Sequence, residues 1–160
     1  ASVHGVRYPS AALSALSAAG IDYLGWLPNA EVPDVFARHR ATVHIPRAPY
    51  VESLPGIPTI RMFEALACGI PLVSAPWDDA EGLFRADKDF LFARSPPQMR
   101  ERLRMVVHDK DVAEALAANG IETIAARHTC AHRVDQLLDI LSVHGSAQVV
   151  DQLQQKEAAQ

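Results

Sequence analysis

Thr59-Ile60-Arg61-Met62-Phe63-Glu64-Ala65-Leu66-Ala67-Cys68-Gly69-Ile70-Pro71-Leu72-Val73-Ser74 changes character at its one glycine, and that change decides the fold. Up to Cys68 the residues are good helix formers, Gly69 is a natural helix stop, and the five residues after it are an apolar run of strand length. A helix that passes through one glycine into an apolar strand is half of a βαβ crossover. The same alternation extends in both directions. Upstream, Ser10 to Ala19 reads as a helix closed by Gly20, and Ile21 to Gly25 as a strand running into the turn Pro28-Asn29. Val32 to Arg40 reads as a helix with Pro33 in its first turn, Ala41 to Ile45 as a strand, and Pro46 to Pro58 as a proline-studded loop. Downstream come the loop Pro76-Trp77-Asp78-Asp79, a short strand at Phe90 to Ala93, and helices over Pro97–His108, Asp111–Arg127 and Thr129–His144. The predicted fold is α/β, a Rossmann-like parallel sheet flanked by helices with a helical C-terminal cap. Ser2 to Gly5 reads as a strand cut from a longer sheet. Residues 1–145 form one domain, and 146–160 a glutamine-rich polar tail, helical or disordered.

At 160 residues, 49% hydrophobic and 21% charged, the chain is long enough for one buried core and short for two. A net charge of −4, with scattered basic residues, offers no electrostatic footprint for nucleic acid. No apolar run reaches the roughly 18 residues of a membrane span, and the first residues lack the parts of a signal peptide. Cys68 and Cys130 stand far apart in helical segments, so a reducing, cytoplasmic setting is expected.

In an open parallel sheet, ligands bind beyond the carboxyl ends of the strands. That rule brings residues 46–58 and 76–81 to one edge, where the helix starting at Thr59 points unpaired N–H groups suited to a phosphate. The helix is apolar nearly all round and is expected to be largely buried. Its charged members, Arg61 and Glu64, share a face. They can form an internal ion pair, or Glu64 can accept hydrogen bonds from a diol such as ribose with Arg61 near a phosphate; spacing does not choose.

Arg61 to Val73 resembles the "E-A-(L/M)-A-x-G-x-P-V-V" segment of GT-B retaining glycosyltransferases. Leu24-Gly25-Trp26-Leu27-Pro28 and Ala41 to Pro46 are similar to two strand motifs of the same family, in the same order. His128-Thr129-Cys130-Ala131-His132-Arg133 resembles the "hTyehR" signature of a spore-maturation-like subgroup. The resemblance implies the C-terminal half of a GT-B fold, binding a nucleotide-diphosphate sugar as substrate, without a metal or other cofactor. It implies that Glu64 grips the ribose, that Arg61 is a phosphate or carboxylate partner, and that Gly56, Ile57, Thr59 and Ile60 supply backbone N–H groups to the diphosphate and sugar.

The sequence departs from that pattern in two places. Many relatives carry a second glutamate eight positions before the first, where this chain has Gly56; Glu52 lies nearby. The basic "G-R-x-x-x-x-K-G" loop also has no match, Arg7 being a poor replacement, and the acceptor site of such enzymes lies in a preceding domain. The expectation is therefore a donor-binding fragment, inactive without its N-terminal domain. The alternatives are a non-catalytic module of the same fold or another sugar-nucleotide enzyme such as an epimerase.

Other signals have plainer readings. His128 and His132 flank Cys130 but lack a second zinc-like ligand pair, and Thr129 suits a helix N-cap. His44 reads as a hydrogen-bonded core histidine or a donor contact, and Trp77-Asp78-Asp79 as a solvated turn or a sugar contact. Trp26 is a buried aromatic or a base contact, and Cys68 is core packing.

Overall fold

The computed structural model describes residues 1–54 and 56–157, without the side chains of residues 48–50, 144 and 146–157. Its strands are β1 (Ser2–His4), β2 (Asp22–Gly25), β3 (Thr42–His44), β4 (Leu72–Ser74) and β5 (Leu91–Phe92). Its helices are α1 (Ser10–Ala18), α2 (Val32–Ala37), α3 (Ala48–Ser53), α4 (Ile60–Ala67), α5 (Pro96–His108), α6 (Lys110–Arg127) and α7 (Cys130–Glu157). A short 3-10 turn at Asn29–Glu31 leads into α2. One expectation is corrected: residues 46–58 are not loop throughout, because α3 forms inside them with Pro49 near its start, where a missing N–H costs nothing. Pro55 lies outside the described residues. The helix predicted to end at His144 continues to Glu157.

Every strand pairing is parallel. β4 is central, paired with β3 in the register Thr42↔Leu72, Val43↔Val73, His44↔Ser74, and with β5 through Val73↔Leu91. Alternation across β4 builds two cores. Leu72 joins Met62, Ala65 and Leu66 of α4, Val32 and Phe36 of α2, and Phe84 and Phe90. Val73, on the opposite face, joins Leu91, Ala93, Val106 of α5 and Leu116 of α6. Strands covered on both faces are what makes the Leu-Val-Ser run of β4 fully buried.

β1 and β2 form a separate two-stranded parallel ribbon, so the orders are β1-β2 and β3-β4-β5. The doubly wound order 3-2-1-4-5-6 yields these two sheets when its first strand is taken away. No residue before Val32 is buried. The ribbon is held instead by its ladder, by the Tyr23 hydroxyl donating to the Gly5 carbonyl at 2.7 Å, and by the tilted Tyr8–Tyr23 pair.

Candidate functional site

The cleft lies where the strand-end rule places it. His44, the last residue of β3, and Trp77 and Asp78, in the loop after β4, line it together with Pro46, Val51, Leu54, Gly56, Ile57 and Thr59. Gly56 adopts φ +86°, and a Cβ there would stand 2.9 Å from the Ala80 side chain, so the two loops close on each other only because this residue is glycine. The free space between them is about 40 Å³, room for a water molecule.

The floor of the cleft is a chain of polar contacts through His44, which is 3% exposed. Its Nδ1 lies 2.9 Å from Ser74 Oγ and its Nε2 2.8 Å from Thr59 Oγ1. Burial, reinforced by the positive charge of Arg61, lowers its pKa to about 4, so it is neutral at pH 7. Thr59 is the N-cap residue of α4, yet its side chain makes no capping bond. Met62 N–H reaches the Thr59 carbonyl at 3.2 Å. The N–H groups of Ile60 and Arg61 have no backbone acceptor among the described residues, and Pro58 has no N–H. Trp77 packs edge-on to His44 and Phe84, with its Nε1 shielded and without an acceptor among the described residues.

The residues singled out in the sequence separate into two groups. Gly56, Ile57 and Thr59 line the cleft, and Ile60 stands beside them, 67% exposed. Arg61 and Glu64 do not line it. They pair with each other, Nη1 to Oε2 at 3.0 Å, with side chains 42% and 21% exposed, and the Arg61 guanidinium lies over the Phe36 ring. The contact is ionic without a directed hydrogen bond, since Oε2 has no aligned donor among the described residues. The expectation of a largely buried α4 is corrected here. Only Met62, Ala65 and Leu66 are buried, whereas Ala67 and Cys68 are exposed, because the partners of α4, the sheet and α6, do not surround it. Glu64 is therefore not a charge sealed in the core, and Cys68 is not core packing.

Other readings resolve as follows. Asp79 accepts the N–H groups of Leu83 and Phe84, both at 2.9 Å, which makes it the cap of the turn after β4 and leaves Asp78 at the cleft. Trp26 is 71% exposed, so it is not a buried aromatic, and it is not among the residues that line the cleft. His128 packs against Phe63 and Phe84 and lies 2.9 Å from the Leu83 carbonyl oxygen, while His132 Nδ1 lies 2.7 Å from Thr129 Oγ1.

Sequence reasoning missed the Ser74–His44–Thr59 connection and a second network around Asp89, which is wholly buried. Asp89 accepts from Arg85 N, Arg85 Nε and Thr123 Oγ1 at 2.8–3.0 Å, tying the turn before β5 to α6. A histidine at the carboxyl end of a strand, where the loops of the cleft begin, was the available signal for His44. Asp89 offered only the nearby charge of Arg85, four residues before it, since its other partner, Thr123, is far away in sequence.

Fold and cleft together define a Rossmann-like α/β domain of the kind that forms the C-terminal half of a GT-B architecture. HepE of Anabaena in complex with UDP superposes with a TM-score of 0.72 at 17% identity, covering 89% of this chain and 40% of that one. HepE in complex with UDP-glucose gives 0.69 at the same identity and coverage. The C-terminal domain of the group 1 glycosyl transferase LpcC from Francisella tularensis gives 0.55 at 17% identity, over 74% of this chain and 60% of that one. The chain thus spans less than two thirds of each, and at this identity the likeness establishes the fold. The chain belongs to the glycosyl transferase-like family, whose model matches residues 1–139. That match is to the family as a whole; the spore-maturation-like subgroup rests on residues 128–133 alone. A comparison with curated protein sequences finds no match. Among the described residues, no helix is long and apolar enough to cross a membrane.

Proposed function

We propose that this chain is the donor-binding domain of a glycosyltransferase, holding a nucleotide-diphosphate sugar across the rim of the His44–Thr59–Trp77 cleft. The observation that carries this is the uncapped start of α4, whose free N–H groups and dipole face the strand-end cleft in a fold shared with UDP-bound HepE. Backbone N–H groups at Gly56, Thr59, Ile60 and Arg61 receive the diphosphate and sugar, and that of Ile57 joins them on releasing the Leu54 carbonyl, to which it donates at 3.3 Å. Glu64 leaves Arg61 to accept the ribose hydroxyls; their half-buried contact at 3.0 Å carries no directed hydrogen bond that the exchange would have to break. Preorganised N–H groups then stabilise the charge that develops on the leaving diphosphate, and no metal is invoked.

Acceptor binding and the rest of the catalytic apparatus come from a preceding domain, and catalysis by this chain alone is not part of the proposal. The split sheet supports the dependence on upstream sequence: one parallel strand between β1 and β3, earliest in the chain, restores the order 3-2-1-4-5-6. Two free thiols, Cys68 and Cys130, fit a cytoplasmic setting. Gly56, packed on Ala80 with no carboxylate in its place, favours the second reading, a non-catalytic nucleotide-binding module.

Calorimetric titration with UDP, GDP and their sugars tests the proposal. Binding of at least one is expected, with Glu64→Ala weakening it tenfold or more while leaving thermal stability within a few degrees. No binding by any of them, with or without the preceding domain, overturns donor binding. Loss of the fold in Glu64→Ala would instead make Glu64 structural.

A further inference from the structure

The contacts through His44 have a direction. Ser74 has one hydroxyl proton, and it is donated to the Ala75 carbonyl at 2.8 Å, an acceptor with no proton to return. The 2.9 Å contact between Ser74 Oγ and His44 Nδ1 therefore requires the imidazole proton on Nδ1. A neutral imidazole carries a single proton, so Nε2 is bare and accepts the Thr59 hydroxyl at 2.8 Å. A threonine at an N-cap ordinarily turns its oxygen toward the second or third N–H of its helix. Thr59 does not.

We propose that His44 is a positioning residue of the cleft: by accepting the Thr59 hydroxyl it stops that threonine from capping α4, and so keeps the first N–H groups of the helix available to a diphosphate. His44 touches no ligand in this scheme. It acts through Thr59, and Ser74 acts through His44 by fixing the tautomer that leaves Nε2 an acceptor. Without Nε2 the hydroxyl rotates back onto α4, making the helix self-sufficient and the cleft a poorer anion site. The ligand half of this inference rests on the donor-binding reading; the hydroxyl switch does not.

Two substitutions separate the ring nitrogens. His44→Asn places an amide near the Nδ1 position, able to keep Ser74 but too short for Thr59, whereas His44→Gln places an amide oxygen near Nε2 that can take the Thr59 hydroxyl. Amide exchange at Arg61 and Met62, measured without ligand, is expected to slow about fivefold in His44→Asn, the effect of one N-cap of about 1 kcal/mol. Inorganic pyrophosphate and UDP are expected to bind that variant about tenfold more weakly. His44→Gln restores both readouts. The double variant His44→Asn/Thr59→Val, which has no hydroxyl to cap with, regains most of the pyrophosphate affinity, a rescue that a merely structural histidine would not show. Unchanged exchange in His44→Asn, or failure of both the glutamine and the double-variant rescue, overturns the proposal. If the unsubstituted chain binds neither pyrophosphate nor UDP, the donor-binding reading and the ligand half fall together, while the exchange rates still decide the switch.

Discussion

His44 shows how much of this cleft depends on a single protonation state. Its pKa, lowered from 6.5 to about 4 mainly by burial, means that the unfolded chain binds a proton between those values and the folded chain does not. The sign follows: the neutral ring's contribution is fully present above pH 6.5 and is lost as pH falls toward 4. The total is on the order of 3 kcal/mol by linkage. His44→Gln removes the titration, so thermal melts of the two proteins are expected to differ in pH dependence between 6.5 and 4 and to run parallel above 7. Parallel curves throughout would show that the ring titrates normally. Glu64 presents the reverse case. Sequence spacing allowed an ion pair or a ribose contact, and the structure shows the pair with Arg61, half open to solvent. Without a directed hydrogen bond to Arg61, the carboxylate keeps its capacity to accept ligand hydroxyls, its proposed use.

Among the elements, α4 carries the most information, because it packs closely on α6 at one glycine. A Cβ at Gly120 would lie 2.9 Å from Leu66 Cδ2 and 3.4 Å from Leu66 Cβ. Glycine to alanine in a helix interior ordinarily stabilises by about 0.5–1 kcal/mol. Here Leu66 is buried in the core and has little room to retreat, so overpacking of about 1–3 kcal/mol outweighs the propensity gain. Gly120→Ala is therefore expected to destabilise the domain by about 1 kcal/mol, read from urea unfolding midpoints; an upward shift would mean that α6 moves away freely. The elements of this region were legible in the sequence, since Gly69 ends α4 and the apolar run after it forms β4. Two features were not: α3, hidden among prolines, and the one-sided burial of α4. The residues of α4 are apolar enough for burial on all sides, and only the number of layers packed against the helix limits it.

At the scale of the whole molecule, stability is unevenly distributed. The ribbon of β1 and β2 with α1 has no buried residue, whereas β4 is buried throughout with a strand on each side. Local opening energies track buried contact. Amide exchange is expected to be fast and sub-global across residues 2–25 and slowest at Leu72–Ser74; uniform protection would refute this division. Composition and periodicity by themselves determined the α/β alternation and the strand-end location of the cleft, and resemblance to a known family supplied the motif around Glu64, because those depend on local pattern and on rules that hold for any parallel sheet. Tertiary structure alone decided that the sheet divides between β1 and β3, that Glu64 rests on Arg61, and that His44 joins Ser74 to Thr59. Each of these depends on which distant residues meet across a packed layer, and a linear pattern carries no record of such partners.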